Sequence, residues 1–366
     1  MKTMAAVATA PETPLTITEV EVGGPAPGEL QVRMVASGVC HTDAIVRDQW
    51  YPTPLPAVLG HEGAGIVEAF GQGVSGFEAG DRVLLSFSSC GTCRRCLSGE
   101  LSYCEDMFDR NFGGRRTDGS TSYSLDGQQV SSHFFGQSSF AALANVPVRC
   151  AVKVDRDAPL EILAPLGCGI QTGAGAILNV LDPEPGSAVA VFGAGAVGLS
   201  AVMAAKVAHC SVVIAVDRNA ERLELARELG ATHTVLVDGG SPAEEIRKIT
   251  GQGVQYALET TGVPAVFTGM IESLAPRGTA GVVGAAALGT SATFDIGSSL
   301  PMGLTIKMIV EGESIPSVFI PRLMELHRAG LFPFDRLVKT YPFGQINEAF
   351  EDSAKGTTLK PVVVFP

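Results

Sequence analysis

Between residues 186 and 283 the chain switches repeatedly between two hydrophobic patterns. Short apolar runs rich in β-branched residues stand at 188–192, 211–216, 234–237, 254–259 and 279–283. Between them lie helix-like stretches: the run after Gly198, then 221–229, 242–250 and 266–274. The first pattern predicts buried strands and the second helices, and their alternation predicts a doubly wound parallel sheet of the Rossmann type. DPEPG at 182–186 marks the turn into its first strand. Upstream the pattern changes to short strands separated by glycine turns, as in EGAGIVEAFGQGV and FEAGDRVLL, which predicts a β-rich domain. Beyond about residue 310 the elements are mixed and are expected to rejoin that first domain. The expected boundaries are therefore 1–170, 171–309 and 310–366. The uncharged stretch 185–205 has the length of a membrane span, but three glycines crowd its middle and its flanks read as strand then helix. No membrane segment is expected.

The turn after the first strand reads Gly193-Ala-Gly195-Ala-Val197-Gly198, a G-x-G-x-x-G between a strand and a helix. Its glycines permit a tight turn and the close approach of a pyrophosphate to a helix N-terminus, where unpaired amides favour anions. The second strand ends in Asp217, nineteen residues after Gly198. A carboxylate there accepts hydrogen bonds from an adenosine ribose and repels a 2′-phosphate, so NAD is expected over NADP. Arg218 beside it tolerates a phosphate and leaves the strictness of that choice open. Gly193, Gly195, Val197, Gly198, Asp217 and Arg218 are the expected dinucleotide contacts.

Composition adds context. The 366 residues are 46% hydrophobic and 17% charged, the profile of a globular chain with room for two domains. A formal net charge of −12 with no visible basic face argues against nucleic acid as a partner. The N-terminal residues lack a basic segment followed by a sustained apolar one, so no secretion signal is read and a cytoplasmic location is expected.

Four of the eight cysteines, Cys90, Cys93, Cys96 and Cys104, fall within fifteen residues as C-x2-C-x2-C-x7-C, inside a lobe expected at 88–106. In a reducing compartment such a cluster reads as metal ligands rather than disulfides. Four thiolates fill a tetrahedral zinc site and leave no open position, so this metal would hold a loop in shape; an iron–sulfur cluster uses similar spacing and is the rival.

A second set is dispersed. SGVCHTD carries Cys40, His41, Thr42 and Asp43, LGHEGAGIV carries His61 and Glu62, and PLGCGIQTGAG carries Cys168. One His and two Cys from separate segments are the ligand set of a catalytic zinc whose fourth position stays free. Asp43 is the nearest carboxylate to orient His61. Taken singly, each of these residues also reads as packing. His41, His133, His209, His233 and His327 carry no comparable context, and Cys150 and Cys210 read as buried small hydrophobes. Trp50 and Tyr51 read either as core or as the lining of an apolar pocket.

GVCHTD, LPAVLGHEGAGIVE, the four-cysteine lobe, HFFGQSSFA, PLGCGIQTGAGAILN, VFGAGAVGLSAV, VDRNAERLELARELGA, FPFDRLVKTYPF and LKPVVV follow one another along the chain. In that order they resemble the zinc-dependent medium-chain alcohol dehydrogenases, most closely the bacterial aryl-alcohol branch. The resemblance implies a GroES-like catalytic domain built from both chain ends around the Rossmann insert. It implies two zinc ions per chain, a catalytic one on Cys40, His61 and Cys168, with Glu62 beside it and Asp43 supporting His61, and a structural one on the four clustered cysteines. Thr42 would hydrogen-bond the substrate oxygen, Thr172 would face the nicotinamide, Lys360 would lie near the cofactor phosphates, and His41 is counted with the cofactor residues. The implied reaction is reversible NAD-linked oxidation of a primary aromatic or allylic alcohol, of the benzyl alcohol or geraniol type, to its aldehyde. Zinc lowers the pKa of a coordinated alcohol, and the alkoxide so formed passes a hydride to nicotinamide. A homotetramer or homodimer is expected by the same analogy.

One position departs from the pattern. Many relatives carry a histidine five residues after the first cysteine ligand as a proton relay, and here Ile45 stands there. The relay is then expected through Thr42 and the cofactor ribose or through His41. Two other readings stand beside this one: a glutathione-dependent formaldehyde dehydrogenase, whose anionic substrate wants basic residues of which His41 is the only candidate, and an inactive NAD-binding relative, against which the three dispersed ligands argue.

Overall fold

The computed structural model describes residues 1–366, which divide into two units. One comprises Met1–Cys168, Ile315–Arg322 and Asp335–Pro366; the other comprises Gly169–Ser314 and Leu323–Phe334. The division departs from the expected boundaries mainly at the C-terminal end, where 323–334 goes with the second unit. There Phe332 and Phe334 are buried, and the His327 ring packs 4.7 Å from Phe334 while its Nδ1 bonds the Phe332 carbonyl. No shift in composition marks that excursion.

The second unit is built on a six-stranded parallel sheet. Its strand order is His233–Leu236, Val212–Asp217, Ala188–Phe192, Val254–Glu259, Leu274–Val282 and Thr305–Met308. In chain order this is 3-2-1-4-5-6, the doubly wound arrangement that places ligands beyond the carboxyl ends of the central strands. Five of the six strands coincide with apolar runs. The sixth, TIKM, is a short and largely exposed edge strand and carries no such signal. The stretch 185–205 resolves into the first strand, the glycine turn and most of the helix Ala196–Val207. No single helix of the chain is long and apolar enough to cross a membrane.

The first unit holds two mainly antiparallel sheets. In the larger, Glu29–Gly38 lies between Glu62–Phe70 and Lys360–Val364 and also pairs with Leu143–Pro147. The register of this sheet sets Gly38 opposite Glu62 on one side and Val362 on the other. Alternate residues of these strands, Leu30, Val32 and Met34 among them, join Phe134, Phe140, Leu59 and Leu85 in one buried core.

Candidate active site and metal centres

Cys40 follows the strand Glu29–Gly38 and caps the short helix His41–Arg47 in extended conformation. Glu62 opens the neighbouring strand with His61 just before it, so the register brings the two segments side by side. Gly38 is needed there, because a Cβ on it would sit 1.9 Å from a Glu62 carboxylate oxygen. Cys168 arrives through Gly167, whose own Cβ would lie 2.1 Å from the Leu85 carbonyl and whose carbonyl accepts a 2.7 Å bond from Ser86 Oγ. One donor atom each from Cys40, His61, Glu62 and Cys168 lies within 4.8 Å of all the others.

The surroundings of this cluster are buried and charged. Asp43, fully buried, accepts from the Cys40 N–H at 2.9 Å, the Gly60 N–H at 3.0 Å and His61 Nδ1 at 2.9 Å. A carboxylate on Nδ1 fixes the tautomer that leaves Nε2 as a lone-pair donor. That Nε2 is buried with no hydrogen-bond partner, a cost that a metal ion removes. Hydrogen bonding from Cys168 holds the Cys40 thiol well below its ordinary pKa; burial opposes this, and the Lys360 ammonium assists it. The donor set fits zinc in kind and in orientation: two soft sulfur donors and an imidazole held by Asp43.

Lys360 is where the structure corrects the sequence reading. Expected near cofactor phosphates, it is 3% exposed and its Nζ lies 2.8 and 3.0 Å from the two Glu62 oxygens. Val362, two residues on, is the register partner of Gly38, so Lys360 lies just past the end of the strand Glu29–Gly38, and its side chain reaches Glu62 from the neighbouring strand. Burial works against its charge, but Glu62 and Cys40 hold its pKa above the ordinary lysine value. Burial raises the Glu62 carboxyl, and Lys360 limits that rise. An ammonium so committed is not free for a phosphate.

His41 is exposed, with its ring edge-on to Trp50 at 6.3 Å, and Trp50 is itself 44% exposed and thus not core. Thr42 Oγ1 lies 3.9 Å from Cys40 Sγ, while Ile45 is buried. Tyr51 meets Phe112 edge-on at 5.5 Å. Sequence reasoning passed over His133, which proves to be buried against Glu29, and over Gln137 and Phe135, which touch His61. The left-handed backbone of this stretch has no signature in HFFGQSS beyond one glycine.

The lobe of four cysteines is built from its own backbone. The Thr92 and Cys93 N–H groups point at Cys90 Sγ (3.4 and 3.2 Å), Cys96 N–H at Cys93 Sγ (3.4 Å) and Cys90 N–H at Cys104 Sγ (3.2 Å). These amides lower Cys90 to about 6, whereas burial pushes Cys96 up to about 12. All four sulfurs lie within 4.8 Å of one another and none is in a disulfide. Of the remaining thiols, Cys150 is fully buried but Cys210 only partly so.

In the second unit the glycine turn stands at the carboxyl end of the sheet. Gly193 has φ 98°, and a Cβ on Gly198 would lie 1.8 Å from the Gly193 carbonyl, so both glycines are required by the turn itself. Gly195 differs: a Cβ there meets nothing within 4 Å, which leaves room for a ligand rather than for protein. It begins the helix Ala196–Val207 with no side-chain cap, so the first amides of that helix remain available to an anion. Val197, partly buried, lies in its first turn. Asp217 accepts from the Ala194 N–H at 2.6 Å and the Asn219 N–H at 2.8 Å, which ties strand end to turn, and Arg218 is exposed. Thr172 Oγ1 lies 3.4 Å from the buried Glu311 carboxylate.

Known proteins place these features. The chain matches the family models for the alcohol dehydrogenase GroES-like domain over residues 26–156 and the zinc-binding dehydrogenase over residues 196–327. It is 46% identical over 354 residues to a geraniol dehydrogenase of Castellaniella defragrans, spanning 96% of this chain and 95% of that one. A zinc-binding-domain alcohol dehydrogenase protein from Burkholderia ambifaria has a TM-score of 0.97 at 54% identity, covering 100% of this chain and 99% of that one. The crystal structure of benzyl alcohol dehydrogenase from Acinetobacter calcoaceticus gives 0.97 at 47% identity over 100% of both chains. Matched from end to end at such identities, the chain belongs to the zinc-binding, GroES-like alcohol dehydrogenases, whose cofactors are zinc and NAD.

Proposed function

We propose that Cys40, His61 and Cys168 hold the catalytic zinc, that Cys90, Cys93, Cys96 and Cys104 hold a structural one, and that the substrate is a primary aromatic or allylic alcohol oxidised to its aldehyde. The observation that carries the catalytic assignment is the unpartnered, buried Nε2 of His61 beside two thiols, with Glu62 engaged by Lys360 rather than free to fill a fourth position. Zinc bound there supplies a Lewis acid that lowers the pKa of the alcohol.

The chain's own residues do the rest. Asp43 keeps His61 in the metal-ligating tautomer, and the Lys360–Glu62 pair keeps a negative carboxylate beside the site without an unbalanced buried charge. Thr42, the hydroxyl nearest Cys40, would relay the substrate proton, accepting it while passing its own hydroxyl proton to the cofactor ribose and on to water, since the buried Ile45 has no atom to do so. The glycine turn and uncapped helix receive the NAD pyrophosphate, and Asp217 receives the ribose. Phe134 and Phe135 are buried against His61 and pack that imidazole, so the aromatic or allylic substrate class rests on the relatives. The names of the two relatives, geraniol and benzyl alcohol dehydrogenase, support the same class.

A second copy of this chain is the expected partner. The edge strand Thr305–Met308 is supported in that role by exposed Met308, Leu300 and Ile296 on the same unit, at 66, 79 and 72% exposure. A cytoplasmic location goes with this reading, since six cysteines assigned to zinc must stay reduced to bind it. The test is metal content and turnover in one preparation. Two zinc ions per chain with NAD-linked oxidation of benzyl alcohol or geraniol is the expected result; activity that survives in metal-free protein sinks the reading.

A further inference from the structure

Residues 133–139, HFFGQSS, hold three non-glycine residues in the left-handed region: His133 (φ 60°), Phe135 (φ 51°) and Ser138 (φ 51°), with Gly136 (φ 68°) among them. For a residue as bulky as Phe135 this is an outlier, and such conformations persist where the surroundings over-determine them, most often at functional sites. Here the surroundings converge on His61. The Phe135 ring stacks on the imidazole with centroids 4.6 Å apart and planes 29° apart, and Phe134 meets it edge-on at 5.4 Å.

Backbone around His61 is gripped from the same segment. Gln137, 1% exposed, donates to the His61 carbonyl at 2.8 Å and the Ser86 carbonyl at 3.2 Å, and its Oε1 accepts from the Gly63 N–H at 2.9 Å. Ser138 Oγ donates to the Val58 carbonyl at 2.6 Å and accepts from the Phe134 N–H at 3.0 Å. The Ser139 N–H donates to the Gly60 carbonyl at 2.9 Å. Upstream, the segment is anchored in a buried triad. Glu29 accepts from His133 Nε2 at 2.9 Å and from Arg116 Nε and Nη2 at 2.7 and 2.9 Å, while His133 Nδ1 pairs with Ser132 Oγ at 2.8 Å.

We propose that Gln137 is a positioning residue for the metal ligand His61, and that the strained 133–139 segment, anchored through His133 and Glu29, holds that imidazole in the plane the metal requires. Asp43 sets the rotation and tautomer of the ring; Phe135 sets its plane, and Gln137 fixes the backbone that carries it. The inference rests on the assignment of zinc to Cys40, His61 and Cys168.

The test uses the holoenzyme and a colorimetric chelator in excess, following release of each zinc. The metal of the four-cysteine lobe is the internal control, because general loosening of the fold would free both ions. Gln137→Met removes three hydrogen bonds at similar volume. It is expected to speed the loss of one zinc equivalent roughly ten- to a hundredfold, to leave the other at the wild-type rate, and to shift the visible spectrum of the cobalt-substituted site. Should that variant fail to fold, His133→Asn keeps a side chain that accepts left-handed backbone and removes the contact to Glu29, and it is expected to give the same selective effect in smaller measure. Equal acceleration of both ions, or wild-type rates for both in whichever variant folds, overturns the proposal. A wild-type chain that binds one zinc, or a Cys168→Ser chain that still binds two, overturns the underlying zinc assignment instead.

Discussion

The two cysteine clusters are built on opposite plans. In the lobe, four cysteines lie within fifteen residues and their thiols are met by the amides of their own loop, so the proposed metal site is nearly complete in local backbone. In the other, the proposed ligands, 21 and 107 residues apart along the chain, are brought together by strand register. They are met by buried side chains, Asp43, Glu62 and Lys360, that come from three different parts of the sequence. Four thiols would close the first site around a metal, whereas two thiols and an imidazole would leave a position open in the second, whose arrangement depends on buried side-chain partners.

The contrast makes predictions. Cys168→Ser is expected to lower turnover by at least about three orders of magnitude, the several kcal/mol a Lewis acid supplies, with loss of one zinc equivalent. Metal analysis and NAD titration check it: the lobe zinc and NAD binding are expected to stay. Cys96→Ser is expected to do the reverse. It should cost on the order of 3 kcal/mol or more of stability, read as a lower denaturation midpoint, with turnover per folded molecule within about twofold of wild type. If both variants lose activity in proportion to folded protein, the division of labour between the clusters is wrong.

Lys360→Met leaves Glu62 as an uncompensated buried charge and is expected to cost about 3 kcal/mol. Adding Glu62→Gln should recover most of that loss, and a double-mutant cycle by denaturant unfolding that shows no coupling would break the pairing. The smallest effect concerns pH. Burial favours the neutral form of Glu29, yet bonds from His133 and Arg116 bring its pKa down to about 2, against an ordinary 4.5. A lowered pKa contributes stability above pH 4.5 that is lost as the pH falls toward 2. The wild type is expected to lose on the order of 2 kcal/mol across that window, and Glu29→Gln to lack that contribution throughout. Urea denaturation at pH 7 and pH 3 measures the difference.

Much of this molecule was legible in its sequence, and the exceptions have a common cause. The strands Ala188–Phe192 and Val254–Glu259 and the helix Pro242–Thr250 appear at their expected positions, because buried strands and a helix begun by Ser241 and Pro242 leave periodic and capping signals along the chain. Thr305–Met308 left none, being an exposed edge. Lys360 was placed by resemblance near phosphates, and nothing local in LKPVVV shows that its partner is Glu62, 298 residues away. His133 likewise has no local sign of Glu29, 104 residues upstream.

By itself the sequence determined the elements, the glycine turn that a dinucleotide requires, the lobe of four clustered cysteines and the family of the enzyme, since each is written in residues close together or in fixed order. Tertiary structure alone decided the company those residues keep. Strand register set Gly38 between Glu62 and Val362, and through it Lys360 against Glu62. Left-handed backbone at Phe135 laid an aromatic ring on His61. Register and backbone handedness are settled by packing over the whole unit, and so they leave no local mark on the chain.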